Sequence, residues 1–209
     1  MPGDIVSRIM MSGVMFPVDE DELRLVAGLR AGDADSFAGV YQAYRPRLFG
    51  FFIRMTGDRA VAEDLLQEAW LRLARSASTL RPDSSIGAWL FTVSRNLVHN
   101  YRRSRCLEDE PLDPLKHDFP AHGADPFEAA SMNEMESRLE RGLAMVPVRY
   151  REVLLLVGVA GVSPTDAARI CQITPEALRQ RLARARAMLA HILDRMKPIR
   201  SAADGGKQR

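Results

Sequence analysis

The sequence is poor in the features that define several common protein classes. Its 209 residues contain two cysteines, Cys106 and Cys171, which lie far apart and outside any CxxC spacing, so a disulfide framework is not indicated. Strand-like alternation is nearly absent. No Gly-rich phosphate loop, metal-ligand spacing or nucleophile–base pair is found either. A small helical enzyme is therefore unsupported, and we expect no catalytic residue, no metal and no cofactor.

Long apolar runs are also missing. The longest, residues 153–162, is interrupted by glycines and is far shorter than the ~20 residues that a membrane span needs. The N-terminal residues contain no basic cluster followed by an apolar core, so no signal peptide is predicted. We therefore expect a cytoplasmic protein without membrane insertion. Translation from Met1, Met11 or Met15 is left open.

What the sequence does contain is an uneven distribution of charge. Residues 1–74 carry 8 basic and 11 acidic side chains, and residues 75–105 carry 6 basic and 1 acidic. Residues 106–140 carry 2 basic and 10 acidic side chains, and residues 141–200 carry 11 basic and 4 acidic. Two cationic blocks separated by an anionic block indicate two surfaces that contact phosphate and a connector that avoids it.

Helical periodicity runs through most of the chain and predicts an all-α fold. Four amphipathic segments between residues 19 and 105 predict four helices around one core. Gly57 is expected to end the second helix, in which Pro46 is a candidate kink. Asp58 is expected to cap the third helix, and the turn Pro82–Ser85 the fourth.

A second helical domain is predicted after a connector. Residues 106–130 combine four prolines with most of the acidic excess, which favours a flexible acidic linker. Helicity resumes near residue 131, so the second small domain is placed at residues 131–196. The remaining residues form two tails, 1–18 and 197–209, and the first of these is expected to be disordered.

The second domain ends in a pattern typical of DNA-binding proteins. A short helix, a three-residue turn and a longer helix have the dimensions of a helix-turn-helix, whose second helix enters the major groove. Steps of about 100° per residue place Leu178, Leu182, Ala185 and Leu189 on one side, which predicts burial. The opposite side and its flanks carry Glu176, Arg179, Gln180, Ala183, Arg184 and Arg186. Arg binds guanine and Gln binds adenine in bidentate fashion, although a solvated Arg-rich face has the same pattern.

The first domain carries two further patterns. One is an acidic face with an exposed apolar residue at helical spacing, formed by Asp64, Gln67, Glu68 and Leu71. Such a face suits a basic helix of a partner protein, although an ordinary solvated face looks the same. The other is residues 86–105, where aromatic side chains alternate with basic and hydrogen-bonding ones, as in single-stranded DNA-binding surfaces. Trp89 and Tyr101 lie on its apolar stripe and are expected in the core.

Three blocks together resemble a known family. They are DLLQEAWLRLAR at residues 64–75, AWLFTVSRNLVHNYRR at residues 88–103, and residues 162–189. In order and spacing they are similar to the extracytoplasmic-function (ECF) branch of the sigma-70 family, over about residues 20–106 and 131–195. The resemblance implies a σ2-like four-helix domain and a σ4-like helix-turn-helix domain. These would read the −10 and −35 promoter elements as parts of an alternative sigma factor.

The resemblance also implies partners and site residues. The acidic face of Asp64, Gln67, Glu68 and Leu71 would contact the β′ clamp helices of core RNA polymerase, with the β subunit as a further contact. The −10 element would be contacted by Leu80, Arg81, Phe91, Arg95, Asn96, Arg102 and Arg103. The −35 element would be contacted by the six candidate residues of the last helix. An anti-sigma factor and a role in stress response are further implications.

The sequence departs from the family pattern at several positions. The loop 79–82 lacks the aromatic residue and the glycine often found there, and Thr92 replaces a basic residue. Gly158 stands where an acidic residue is common, and Gln172 where a glycine often occupies the turn. A rival within DNA binding is a helix-turn-helix regulator with a helical sensor domain, which would bind duplex DNA as a symmetric dimer without polymerase.

Overall fold

The computed structural model of the chain describes residues 20–108 and 134–196, which fold into eight α-helices without a strand. The first domain contains α1 (Glu20–Ala31), α2 (Ala34–Thr56), α3 (Arg59–Ser76), a 3-10 turn (Ala77–Thr79) and α4 (Ile86–Glu108). The second contains α5 (Glu134–Met145), α6 (Val148–Leu154), a π-helical turn (Leu155–Val159), α7 (Pro164–Cys171) and α8 (Pro175–Arg195). The predicted tails, and the predicted linker from residue 109 onward, lie outside the described residues.

The helix ends of the first domain follow from local chemistry. The Asp58 side chain accepts a hydrogen bond from the backbone N–H of Val61 at 3.1 Å, as expected of an N-cap. Gly57 ends α2 with a φ of 73°, a left-handed conformation that glycine adopts without steric cost. Both predictions are confirmed. α2 continues through Pro46, where a bend stays a prediction.

An aromatic cluster fills the centre of the first domain. Phe51 packs edge-on against Phe52 and Phe91, with ring centroids 6.0 and 5.8 Å apart. Trp70 of α3 contacts Phe37 and Tyr41 of α2. These contacts fix α2, α3 and α4 relative to one another, because edge-to-face aromatic pairs add to the hydrophobic effect of burial.

The second domain is a smaller helical unit in which α6 is central. Helix α6 begins at Val148, and the five residues that follow it form a π-helical turn. In α7 the Ser163 side chain accepts from the N–H of Asp166, and in α8 the Thr174 side chain accepts from the N–H of Ala177. These caps stabilise the first turns of both helices of the helix-turn-helix, because each satisfies a backbone N–H that has no partner within its helix.

The two domains contact each other directly. α7 packs against α4, and the π-helical turn packs against α2. Arg151 of α6 is 2% exposed and donates to the carbonyl of Arg54 at the end of α2 and to that of Val146 at the end of α5. A guanidinium is favourable there because carbonyls at helix ends carry partial negative charge. Burial, followed by the charge of Arg102, lowers the pKa of Arg151 to about 10, so it stays protonated at neutral pH.

Candidate nucleic-acid and polymerase interfaces

Helix α8 presents a polar face opposite a buried one. Leu178, Leu182, Ala185 and Leu189 are all buried, as the spacing predicts. The six candidate −35 residues are all exposed: Glu176, Arg179, Gln180, Ala183, Arg184 and Arg186. The geometry needed for insertion into a DNA groove is thus present on one continuous helix.

Two of these side chains are organised by a neighbour. Arg179 donates to the Glu176 carboxylate, and Gln180 Nε2 lies 3.4 Å from the other oxygen of that group. The hydrogen bond and charge of Arg179, and then the hydrogen bond of Gln180, lower the pKa of Glu176. Glu176 therefore holds both side chains along the exposed face without burying them.

The turn before α8 requires an unusual backbone conformation. Gln172 has a φ of 56° and a ψ of 43°, and it is the only non-glycine residue with positive φ among the described residues. Left-handed backbone costs an L-residue with a side chain about 1–2 kcal/mol. The glycine that often occupies this turn in the family avoids this cost. In this chain Gln172 adopts the left-handed conformation despite it.

The loop between the 3-10 turn and α4 exposes a charged pair. Arg81 donates to Asp83 through two nitrogens, at 3.1 and 2.8 Å, and both side chains are exposed. The hydrogen bond from Arg81 is the main cause of a lowered pKa of Asp83. Arg81 is thus presented to solvent, as a residue that contacts DNA must be.

Helix α1 holds this loop at both ends. The Glu22 carboxylate is buried, and its Oε1 accepts from the N–H of Ile86 at 2.7 Å and from Ser85 Oγ at 3.2 Å. Arg30 donates to the carbonyl of Leu80 at 2.9 Å. Sequence reasoning missed both residues, because they lie 50 or more positions from the loop. The only sequence signal was the position of Glu22, whose carboxylate stands at a helical position that is otherwise typical of core residues.

Two predicted −10 residues are in the core. Phe91 is fully buried against Phe51, and the Leu80 side chain is 5% exposed. A buried side chain offers no surface to a base in this arrangement, and contact of these two residues with the −10 element stays a prediction. Trp89 and Tyr101, which are expected in the core, are only partly buried. Part of each aromatic side chain is therefore accessible on the surface of α4.

The remaining candidates on α4 differ in accessibility. Asn96 and Arg103 are exposed, and Arg102 is partly exposed. The Arg95 side chain is only 15% exposed, because Glu152 of the second domain lies against it. Its Nε is 3.0 Å from Glu152 Oε1, an ion pair whose angle is not that of a hydrogen bond. His99 Nε2 lies 2.8 Å from the same oxygen.

The acidic face of α3 borders an apolar groove. Asp64 and Gln67 are exposed and Leu71 is 42% exposed, whereas Glu68 is partly exposed and accepts from Arg72 at 2.8 Å. The groove between α2 and α3, about 710 Å³ in volume, is lined by Phe37, Tyr41, Phe49, Leu66, Gln67, Trp70 and Leu71. Polar and apolar groups thus lie side by side, as they do on surfaces that dock an amphipathic helix.

Neither metal nor membrane chemistry is indicated by the described residues. Among them no group of three or more His, Cys, Asp and Glu side chains is placed to bind a metal ion. No helix described here is long and apolar enough to cross a membrane. Cys171 is buried, and burial together with the charge of Glu152 raises the pKa of its thiol to about 12, so the thiol is protonated at neutral pH.

Two sequence families match the chain. The family described as Sigma-70 region 2 matches residues 40–106, and the family described as Sigma-70, region 4 matches residues 136–189. The first match covers most of α2 together with α3 and α4. The second covers nearly all of the helix-turn-helix domain.

Curated relatives agree with these matches. The ECF RNA polymerase sigma factor EcfG of Rhodopseudomonas palustris is 35% identical over 164 residues, which are 76% of this chain and 86% of EcfG. The ECF sigma factor SigM of Mycobacterium tuberculosis is 27% identical over 175 residues, covering 84% of this chain and 86% of SigM.

Solved structures share the fold. CnrH, solved with the cytosolic domain of CnrY, superposes with a TM-score of 0.62 at 22% identity, covering 83% of this chain and 97% of CnrH. The sigma factor RpoE of Bartonella quintana, solved with the anti-sigma factor NepR, gives a TM-score of 0.62 at 24% identity, covering 78% of this chain and all of RpoE.

Proposed function

Because the chain belongs to the ECF branch of the sigma-70 family, we propose that three of its surfaces have separate roles in transcription initiation. The chain is an alternative sigma factor, a non-enzymatic protein that binds core RNA polymerase and directs it to promoters through −10 and −35 elements. The assignment of residues to these tasks is the proposal. The first domain is named region 2 below, and the second region 4.

The −35 element is read by α8. The observation that carries the proposal is that all six candidate side chains are exposed on this helix while the leucines opposite them are buried. Arg179 and Gln180 lie near the N-terminal end of α8, from which recognition helices contact base edges. Arg184 and Arg186 lie further along, where phosphate is the expected partner.

The −10 element is contacted by region 2 through the loop at Arg81 and through α4 at Asn96, Arg102 and Arg103. Capture of an unstacked base costs a few kcal/mol, so the receiving surface must be held in place before DNA arrives. The hydrogen bonds from α1 to both ends of the loop support this assignment. Arg95 is able to join only when Glu152 releases it.

Polymerase docks on α3. Asp64, Gln67 and Leu71 are exposed beside the apolar groove, which suits the clamp helices of the β′ subunit. Control by an anti-sigma factor is part of the proposal, because the structurally similar RpoE is bound by NepR. We expect the protein to act in the cytoplasm, where polymerase is found, and in a stress response.

Transcription from a library of −35 substitutions, with reconstituted holoenzyme, tests the proposal. Arg179→Ala should relax preference at one or two base pairs, since a lost bidentate contact costs about 1–3 kcal/mol at its own position. Arg186→Ala is the matched control: it should lower output from all sequences alike and reduce the salt dependence by about one phosphate contact. An unchanged preference profile for both Arg179→Ala and Gln180→Ala would contradict base reading by this face.

A further inference from the structure

The groove between α2 and α3 has a side that the polymerase contact proposed above leaves unassigned. That contact takes the α3 side, at Gln67 and Leu71, whereas the α2 side is formed largely by aromatic residues from Phe37 to Phe49. Tyr41 on the α2 side and Leu71 opposite it are 37% and 42% exposed. Apolar surface that faces solvent carries a free-energy cost that an apolar partner removes, so the groove suits a docked segment.

The groove also contains a hydrogen-bond donor that lacks an acceptor. Trp70 is 7% exposed, and its buried Nε1 has no hydrogen-bond partner among the described residues. A buried tryptophan N–H usually donates to an oxygen. The mouth of the groove is basic, since Arg45 is exposed and its Cζ lies 6.0 Å from the centre of the Tyr41 ring. A matching occupant therefore has an apolar face, an accepting oxygen and an acidic end.

The chain enters region 2 beside this groove. Leu25 of α1 lies against Gly39 of α2, and the two helices run antiparallel because only two residues join them. Glu20, the first residue of α1, stands five positions before Leu25 and is therefore level with about the fifth position after Gly39. The groove residues Arg45 and Pro46 follow directly along α2. The residues that precede α1 thus begin next to the groove.

Those preceding residues match the groove in polarity and length. Residues 5–16 contain eight apolar side chains and a single charge, that of Arg8. With steps of about 100° per residue, six of the apolar side chains fall on one half of a helix: Ile5, Val6, Ile9, Met10, Val14 and Phe16. Twelve residues make a helix of about 18 Å, which is also the length of α2 from Phe37 to Phe49. Residues 17–19 span up to about 10 Å, enough to cross from α1 to the groove.

We propose that residues 5–16, named the entry segment below, dock in the groove between α2 and α3 of the same chain. The apolar half of the segment covers the aromatic side of the groove, and one of its backbone carbonyls accepts from Trp70 Nε1. Asp19, which lies between the segment and α1 in the sequence, supplies an acidic group near Arg45. A partner is thereby assigned to part of a tail that the sequence alone predicts to be disordered.

Docking of the entry segment competes with polymerase. The inference rests on the polymerase contact proposed above, because Gln67 and Leu71 belong to that contact and also line the groove. A segment tethered to its site has an effective concentration in roughly the millimolar range, so weak contacts suffice to fill the groove. Only chains with a free groove bind core polymerase, so the apparent affinity falls in proportion to their fraction. Translation from Met15 would give a chain without this restraint.

A charge placed on the apolar half of the segment tests the docking in the full-length chain. Ile9→Asp should release the segment, because a carboxylate is costly against an apolar groove. In a Trp89→Phe background, where Trp70 is the sole tryptophan, its fluorescence emission should move to longer wavelength as water enters the groove. Without that background change, the chain concentration for half-maximal transcription with core polymerase should fall on the order of fivefold.

Ser12→Asp is the matched control, because it adds the same charge on the polar half of the segment and should change neither quantity. A chain that begins at Met15 should behave as Ile9→Asp does. A peptide of residues 1–19, added to that shorter chain, should reverse both changes, whereas the same peptide with Ile9→Asp should not. If the full-length and shorter chains have the same emission and the same half-maximal concentration, docking of the segment is wrong.

Two further outcomes would overturn parts of the proposal. Emission that depends on the concentration of the full-length chain would show that a second copy supplies the segment, which contradicts docking within one chain. A shift of the emission with an unchanged half-maximal concentration would contradict competition with polymerase. The emission is measured without polymerase, so it tests the segment even if polymerase binds elsewhere. Polymerase binding by Asp64→Lys tests the docking face of α3 separately.

Discussion

Region 4 and region 2 are both small helical units, but the surfaces proposed to face DNA are built differently in each. In region 4 the surface is one face of α8, and its exposure follows from the helix's own apolar stripe. In region 2 the surface combines the Arg81 loop with α4, and Glu22 and Arg30 of α1 fix the loop. Part of it is covered by Glu152 of region 4. A surface made by one helix can be predicted from periodicity, whereas one made by three segments cannot.

The largest effect is expected from a variant that alters the proposed polymerase-docking face of region 2 and leaves region 4 unchanged. Asp64→Lys should reduce holoenzyme formation on the order of tenfold, because it reverses an exposed charge on the docking face while leaving the core intact. Asp64 is preferred to Glu68, whose carboxylate already accepts from Arg72. The measurement is titration of core polymerase with labelled chain.

Asp21→Lys is the control for that variant, since Asp21 is also an exposed acidic residue but lies on α1, where it accepts from Arg24. It should bind polymerase as wild type does. Equal binding of core polymerase by Asp64→Lys and wild type would show that this face of α3 is an ordinary solvated surface and not a docking site.

The second prediction concerns the support of the −10 loop by α1. Glu22→Ala leaves the buried N–H of Ile86 without its acceptor and should lower the free energy of unfolding by about 1–2 kcal/mol. It should also change −10 base preference, which a purely structural role would not do. Glu22→Gln keeps an acceptor oxygen and should rescue most of both effects. Thermal unfolding and transcription from a −10 library measure them, and destabilisation with an unaltered preference would limit Glu22 to helix capping.

The smallest effect is expected in the turn of region 4. Gln172→Gly should raise the free energy of unfolding by about 1 kcal/mol, because glycine adopts the left-handed conformation without steric cost. Gln172→Ala removes the same side-chain atoms and keeps the strain, so it is the control. Chemical denaturation distinguishes the two variants. The −35 preference should not change, since the residues of α8 that are proposed to contact DNA are unaltered. A changed preference would show that this turn sets the orientation of that face.

Local sequence signals predicted most of the fold. Gly57, Asp58, Ser163 and Thr174 end or cap helices where their side-chain chemistry predicts it. The π-helical turn at residues 155–159 was not predicted, because an uninterrupted apolar run has the same appearance in α- and π-helical backbone. Arg151 was not singled out, since its partners are backbone carbonyls and one of them lies 97 residues away.

The candidate sites were predicted less evenly. Every −35 candidate is exposed, whereas Phe91 and Leu80 are buried although the family resemblance placed them near DNA. Resemblance locates a segment, but it does not say which side chains of that segment face the core. For Phe91 this was decided by packing against Phe51 of another helix.

The sequence by itself determined the helices, their caps, the buried stripe of α8 and the family, because each depends on residues close together in the chain or on a pattern of residue types. Only the tertiary structure decided that Glu22 caps α4, that Phe91 is core and that Glu152 covers Arg95. These facts depend on side chains 40 to 64 positions apart, whose meeting is set by the packing of helices and not by any local preference.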